Sequence, residues 1–302
     1  MSKFAPFPVL GFACIFLFCA FTVPENDPTT KSRDAKHFML GFEIFKAGDE
    51  SALNNTDVKI EIYDHTTEKT IIIRDYSQLK TNKFSSISYF ENLEYGHDLT
   101  FLIQAPGYLA KEMMISFDST CTLYSNFCVR GLNQPPYPLD GSYVDRYVFP
   151  LTLDSVKVGE EVVIPNIHYE YNSAKLQQKS LWVLDSLVKV VELNPELMIE
   201  LGGHADARGS DDYNMELSER RVQAVQNYLV KQLGNDVKER LVAKGYGETK
   251  LLNDCGNGMT CDENLHQANR RTTFSIQAVR KDVEILSLED RMKARTAMVA
   301  SL

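Results

Sequence analysis

The stretch Ile199-Glu-Leu-Gly-Gly-His-Ala-Asp-Ala-Arg-Gly-Ser-Asp-Asp-Tyr-Asn-Met-Glu-Leu-Ser-Glu-Arg-Arg-Val-Gln-Ala-Val225 decides how the second half of the chain is read. Leu197 to Leu201 predict a strand that ends at Gly202-Gly203. His204, Ala205 and Asp206 follow at its exit, and Gly209 permits a tight turn. A helix is expected from about Glu216 to Leu233, with Val222, Val225 and Leu229 on one face and Gly234 ending it. Arg220 and Arg221 then lie in the helix's early turns, so Asp206 and Arg221 face one another across a cleft between loop and helix. A carboxylate and a guanidinium fork at fixed separation suit a zwitterion, the Asp accepting an ammonium and the Arg gripping a carboxylate. Backbone N–H groups at the turn and helix start add donors. The same two residues would also satisfy a plain surface ion pair, worth about 0–1 kcal/mol.

Working outward, Val162-Val-Ile-Pro-Asn-Ile167 leads into Tyr169 as a strand. Leu176 to Leu193 reads as a helix, with Leu181, Leu184, Leu187, Val188 and Val191 at helical spacing and Asn194-Pro195 stopping it. A short helix is expected over Val237–Leu241, a strand over Val242–Tyr246 and a last strand over Arg271–Ala278. The order β-α-β-α-β-β gives an α/β two-layer sandwich with its helices on one face. Trp182 falls on the first helix's apolar stripe and is expected in the core. Arg220 is expected in solvent or paired with Glu216 or Glu219, and Arg271 is expected to be structural. Ser287 to Ser301 reads as a terminal amphipathic helix, with Leu288, Met292, Arg295 and Val299 at helical spacing.

From about residue 38 to 153 the pattern is β. Val58–Tyr63 alternates, Thr70–Ile73 is a short β-branched run, and Leu99–Ile103, Met113–Phe117 and Tyr143–Leu153 continue the series. Turn signals at Asn54-Asn55, Gly96, Pro106-Gly107, Pro135-Pro136 and Asp140-Gly141 separate them. Short strands at this spacing predict an all-β antiparallel sandwich. The phrase Phe90-Glu-Asn-Leu-Glu-Tyr-Gly-His-Asp-Leu-Thr-Phe-Leu-Ile-Gln-Ala-Pro-Gly-Tyr108 resembles carboxypeptidase-regulatory-like β-sandwich modules, which implies a spacer or adhesion unit without chemistry.

The chain has 302 residues, 44% hydrophobic and 24% charged, so two folded domains are expected. Its 32 Lys+Arg against 41 Asp+Glu give a net charge of −9, which disfavours nucleic acid as a partner. After Lys3, the apolar run Val9–Val23 suits a secretory leader and is short for a membrane span. A lipidated Cys19 or an uncleaved anchor are the alternatives. The expected organisation is a signal peptide or anchor at 1–23, a linker at 24–37, the β-sandwich at 38–155, the α/β domain at 160–280 and a helical tail at 281–302. Besides Cys14 and Cys19 in the leader, the cysteines form two close pairs, Cys121 with Cys128 and Cys255 with Cys261. In an exported chain these read as two short-loop disulfides. Zinc is disfavoured because the pairs lie in different halves and His266 supplies only a third ligand. His204 beside Asp206 lacks a third metal ligand at recognised spacing. No Ser or Cys nucleophile has a positioned base, and no glycine-rich phosphate loop is present. No catalytic residue, metal or cofactor is therefore expected.

The phrase Gly203-His-Ala-Asp-Ala-Arg-Gly-Ser210, followed by Tyr213-Asn and Leu217-Ser-Glu-Arg-Arg221, resembles the OmpA-like peptidoglycan-binding domain. The resemblance spans about residues 160–280. Asn166-Ile-His-Tyr-Glu-Tyr-Asn172 matches that family's first strand, and Gly245-Tyr-Gly-Glu248 and Asn269-Arg-Arg271 match its later signatures. It implies that Asp206 and Arg221 bind the amino acid end of meso-diaminopimelate in the stem peptide. It places Asn214 and Leu217 where they line or shape the groove, and His204, Ala205 and Gly209 in the loop whose backbone meets the ligand. Tyr169 matches an aromatic wall and Asn172 a polar rim position, while Glu170-Tyr171 replaces the more usual Asp-Phe. A disulfide in the Gly247–Ala268 loop has precedent in the family, and Cys255 and Cys261 fit it. The implied function is a non-catalytic tether, outer-membrane-associated and facing the periplasm, with peptidoglycan and outer-membrane or envelope proteins as partners. The alternatives are a component of a secretion or motility machine, with the β-sandwich as partner-binding module, and an envelope hydrolase.

Overall fold

The computed structural model describes residues 37–48, 53, 58–75, 80–81, 88–94, 96–116, 128–130, 137–138, 146–170 and 172–300. The expected leader and Cys121 lie outside these residues, and with Cys121 the expected pairing to Cys128. The described chain forms two compact units, one of residues 157–284 and one combining residues before 157 with residues from 285 onward.

The first unit contains β1 (His37–Lys46), β2 (Lys59–Asp64), β3 (Lys69–Asp75), β4 (Lys80–Thr81), β5 (Ser88–Glu94), β6 (Leu99–Gln104), β7 (Lys111–Ser116), β8 (Cys128–Arg130), β9 (Tyr137–Pro138) and β10 (Arg146–Leu153). They build two five-stranded sheets, β4-β5-β1-β10-β9 and β3-β2-β6-β7-β8. Leu40, Phe42 and Ile44 alternate inward on β1, as do Ile60 and Ile62 on β2 and Leu99, Phe101 and Ile103 on β6, and all belong to one core. Phe42 and Phe101, one from each sheet, meet edge to face at 5.8 Å. One pairing departs from the antiparallel expectation: β1 and β10 run parallel, Leu40 opposite Tyr147 and Leu151 opposite Ile44. These strands lie at the two ends of the β-rich stretch, so no hairpin constrains their direction.

The helix from Leu288 to Ala300 belongs to this unit. Its first N–H, on Leu288, donates to the buried Glu61 carboxylate on β2 at 2.8 Å. Glu289 accepts from the backbone of Thr70 on β3, and Arg295 pairs with Glu112 on β7 at 2.7 Å. Leu288 and Met292 are buried, as the helical spacing required. A carboxylate at the helix start meets otherwise unpaired N–H groups and the positive end of the dipole.

The second unit runs β11 (Glu161–Ile164), α1 (Leu181–Leu193), β12 (Leu197–His204), α2 (Asp211–Leu233), β13 (Leu241–Gly247), α3 (Glu263–Asn269) and β14 (Thr272–Val279); the terminal helix is α4. The sheet order is β11-β14-β12-β13, with β12 and β13 parallel and β14 antiparallel to both β11 and β12. This is a mixed α/β sheet, as expected for this half. α2 packs on β12 and β13, and α1 packs on α2. Leu184, Leu187, Val191, Ile199, Leu201, Val222, Val225, Leu229 and Phe274 are buried here.

Several boundaries differ from the sequence expectation. β11 stops at Ile164 because the chain turns at Pro165-Asn166, Asn166 having φ 61°. Leu176 pairs with Tyr169 in an isolated bridge, so α1 begins only at Leu181. Val237–Leu241 falls largely in a 3₁₀ segment, Asn235–Arg240, in place of a short α-helix. Trp182 is 47% exposed and not in the core, because the buried stripe of α1 runs through Val183, Leu184, Leu187 and Val191.

Candidate functional site

β12 does not end at its glycines but continues through them to His204. A side-chain carbon on Gly203 would stand 2.4 Å from the carbonyl oxygen of Ser218 on α2, and one on Gly245 would stand 2.7 Å from the Glu219 nitrogen. Both glycines are thus required for α2 to lie this close to β12 and β13. Gly209, at φ 116°, makes the turn that follows. Ser210 caps α2, its hydroxyl accepting from the Tyr213 N–H at 3.3 Å, and Asp211 and Asp212 sit at the positive end of the helix dipole. α2 therefore begins about a turn and a half earlier than Glu216, and Arg220 and Arg221 lie well inside it. Arg220 is exposed and near Glu216 at 3.7 Å, as expected.

Arg221 reaches a pocket that it lines together with Tyr169, His168, Arg270, Arg271 and Thr272. Its Nε–H donates to the carbonyl oxygen of Ser173 at 3.1 Å, and its guanidinium carbon stands 5.0 Å from the centre of the Tyr169 ring. Among the described residues no carboxylate forms an ion pair with it. Burial pushes its pKa down, as expected for a cation held away from water. The Tyr169 hydroxyl donates to the Arg221 carbonyl oxygen at 3.2 Å and lies 3.2 Å from the Thr272 hydroxyl, and burial pushes its pKa up to about 12. The Tyr169 ring thus lines the pocket as a platform for the guanidinium. Arg271 also faces the pocket, 3.6 Å from Glu161, with its pKa lowered by burial.

Asp206 is buried, 6% exposed, and bound by arginines. Its Oδ2 accepts from Arg208 at 3.1 and 2.8 Å and from Arg270, while Oδ1 accepts only the backbone N–H of Arg208 at 3.2 Å. Burial by itself would raise this carboxyl, but the hydrogen bonds from Arg208 and Arg270 outweigh it and hold the pKa below the ordinary aspartate range. Glu263 closes the ring by bonding both Arg208 and Arg270. Asp206 meets the pocket through Arg270, not through a direct bond to Arg221.

The remaining expected residues divide between lining and support. Asn214 donates to the Asp206 carbonyl oxygen at 3.0 Å and to Glu248 at 2.5 Å, so it fixes the loop's shape. Leu217 is buried in α2. The N–H groups of His204 and Ala205 donate to Arg271 and Gly247 carbonyl oxygens at 3.0 and 2.7 Å, and these donors are spent within the fold. The His204 ring lines the pocket, stacks on Tyr246 at 5.1 Å and bonds the Thr273 hydroxyl at 3.1 Å. Burial, then the charges of Arg271 and Lys250, push its pKa down to about 3, so it is a neutral imidazole. Asn172, at φ 50°, accepts from the Tyr213 hydroxyl at the exposed rim. Cys255 and Cys261 form a disulfide, their Cα atoms 6.0 Å apart.

Sequence reasoning missed Arg208, Arg270 and Glu263 as members of the site. The Asn269-Arg-Arg271 phrase was the available signal for Arg270, which lines the same pocket as Arg271.

Residues 168–264 match the family model described as OmpA family, and this part of the chain is an OmpA family domain. The chain is 39% identical over 93 residues to a peptidoglycan-associated lipoprotein of Pseudomonas aeruginosa, covering 28% of this chain and 55% of that protein. It is 37% identical over 108 residues to a peptidoglycan-associated lipoprotein of Pseudomonas putida, covering 36% of this chain and 60% of that protein. The chain thus spans a little over half the length of these two relatives. An outer membrane protein structure from Borrelia burgdorferi B31 is 29% identical, covering 36% of this chain and 82% of that one, with a TM-score of 0.29.

Proposed function

We propose that residues 160–280 bind peptidoglycan without catalysis, gripping the diaminopimelate end of the stem peptide, and so tether the outer membrane or an envelope complex to the cell wall. The observation that carries this reading is Arg221, a half-buried guanidinium in a pocket whose nearest partners are a neutral carbonyl and a neutral ring. Such a cation is stabilised by a carboxylate arriving from solution, which brings charge-assisted hydrogen bonds to a partly desolvated fork. Asp206 supplies the complementary acceptor: Oδ1 carries a single backbone hydrogen bond and keeps lone-pair capacity for an ammonium. The OmpA family match and the names of the two relatives, peptidoglycan-associated lipoproteins, support peptidoglycan as the polymer bound.

Each charge-assisted hydrogen bond contributes roughly 1.5–3 kcal/mol, much of it offset by desolvation and ordering. A single site therefore binds on the order of micromolar or more weakly. A polymer displaying many stems turns that into retention through avidity. In this reading residues 1–23 are the leader or anchor, 24–37 the linker and the β-rich unit the spacer or partner-binding part. The site faces the periplasm.

The test is calorimetric titration of the full chain with soluble muropeptides that differ only in the third stem residue. Diaminopimelate-containing stems should bind, lysine-containing stems should bind at least about tenfold more weakly for want of the terminal zwitterion, and neither should be cleaved. Equal affinity for the two stems would overturn the specificity, and turnover would overturn the non-catalytic reading.

A further inference from the structure

The Cys255–Cys261 disulfide lies against His266, and the three side chains form a cluster whose ligand-type atoms are all within 4.8 Å of one another. Cys255 is 1% exposed and its Sγ stands 3.6 Å from both ring nitrogens of His266, itself 7% exposed. Two ligands on one tetrahedral zinc ion, with Zn–S near 2.3 Å and Zn–N near 2.05 Å, would stand about 3.6 Å apart. The sulfur–nitrogen distance matches that separation, but the sulfur is equidistant from both ring nitrogens and so lies over the ring; the imidazole has to turn for one nitrogen to aim at a shared ion. His266 Nδ1 also lies 3.9 Å from the Asp206 carboxylate, beyond hydrogen-bond distance, so that a turn of the ring can bring it to the carboxylate–histidine hydrogen bond that fixes the tautomer of a metal-binding imidazole.

We propose that the reduced chain binds one thiolate-seeking divalent cation of the zinc class through Cys255, Cys261 and His266, the ion replacing the disulfide as the closure of the 255–261 loop. A dithiol reductant takes up the disulfide, forming its own S–S bond and leaving two cysteine thiols; the incoming cation then displaces both thiol protons. Opening the disulfide does not release the cluster. The Cys255 N–H donates to Asn253 Oδ1 at 3.1 Å, and Asn253 donates to the Leu265 carbonyl at 3.0 Å. Asn269 donates to Asn253 at 3.0 Å and accepts from the Leu252 N–H at 2.8 Å. These bonds tie the Cys255 segment to α3, which carries His266, independently of the sulfurs. The Cys261 sulfur has to move, to the sulfur–sulfur separation of about 3.8 Å that two thiolates on one zinc require, and the His266 ring has to turn; Cys261 is half-buried in an irregular stretch with Gly256 and Gly258 in the same loop. Solvent supplies the fourth ligand.

The experiment titrates Co²⁺ into the full chain, oxidised or reduced with a phosphine that is then removed anaerobically. The reduced chain should take up one equivalent and develop a thiolate-to-cobalt charge-transfer band with tetrahedral visible bands, all erased by Zn²⁺; the oxidised chain should show none. Cys255→Ser should lose the bands, and His266→Ala should bind about tenfold or more weakly. Absence of the bands in the reduced unmutated chain overturns the proposal whatever the variants do. So does their persistence in Cys255→Ser, or a His266→Ala affinity equal to that of the unmutated chain.

Discussion

Arg221 holds its charge in a pocket by a single neutral hydrogen bond and a ring face. Arg221→Lys keeps the charge but loses the fork, so muropeptide binding should weaken about tenfold while the thermal midpoint stays near that of the unmutated chain; equal titration curves would show that fork geometry is irrelevant. Asp206 makes the opposite kind of statement. Its folded pKa lies below the unfolded value of about 3.9, so its contribution to stability is complete above that value and is lost as pH falls through the folded pKa. The midpoint difference between the unmutated chain and Asp206→Asn should therefore be present at pH 7 and shrink below about pH 4. His204 acts over a wider window. Its pKa is about 3 in the fold, against about 6.5 unfolded. Between those values the unfolded chain binds the extra proton, and stability falls as pH drops, by at most about 1.4 kcal/mol per pH unit. His204→Gln should flatten that slope in denaturant titrations, and an unaltered slope would count against the assignment.

At the scale of elements, the strand–turn–helix of 199–225 was legible because its glycines, cap residue and apolar spacing all carry local signals. The start of α2 was misplaced for an equally local reason: Ser210 with Asp211-Asp212 is a cap and an acidic first turn, but the apolar periodicity begins later. Trp182 was misassigned because a helix stripe is wider than its buried part, and only packing against α2 selects which edge is covered. The parallel β1–β10 pair and the arginine ring on Asp206 are long-range events, joining residues 39 with 146 and 206 with 270, and nothing local in either partner announces the other. Gly203→Ala belongs to this scale. Its added carbon meets backbone and cannot be relieved by a rotamer change, so α2 must retreat. A loss of about 1–3 kcal/mol in denaturant unfolding is expected, and an unchanged midpoint would show that the contact between helix and strand yields freely.

For the molecule as a whole, the chain that builds the β-rich unit leaves it to form residues 157–284 and returns in α4. Removing residues 285–302 should lower the midpoint of the β-rich unit, since Glu61 loses the Leu288 N–H and Arg295 leaves Glu112, while binding by the 157–284 unit persists. Loss of binding on that truncation would mean that α4 serves the site. The central claim is that a half-buried arginine without a carboxylate partner in the described fold is completed by the cell wall. The most direct measurement is co-sedimentation of the full chain with purified diaminopimelate-containing sacculi, comparing Arg221→Ala with the unmutated protein after circular dichroism has shown both folded. The unmutated protein should pellet with the sacculi and Arg221→Ala should remain in the supernatant; equal pelleting of the two would contradict the account.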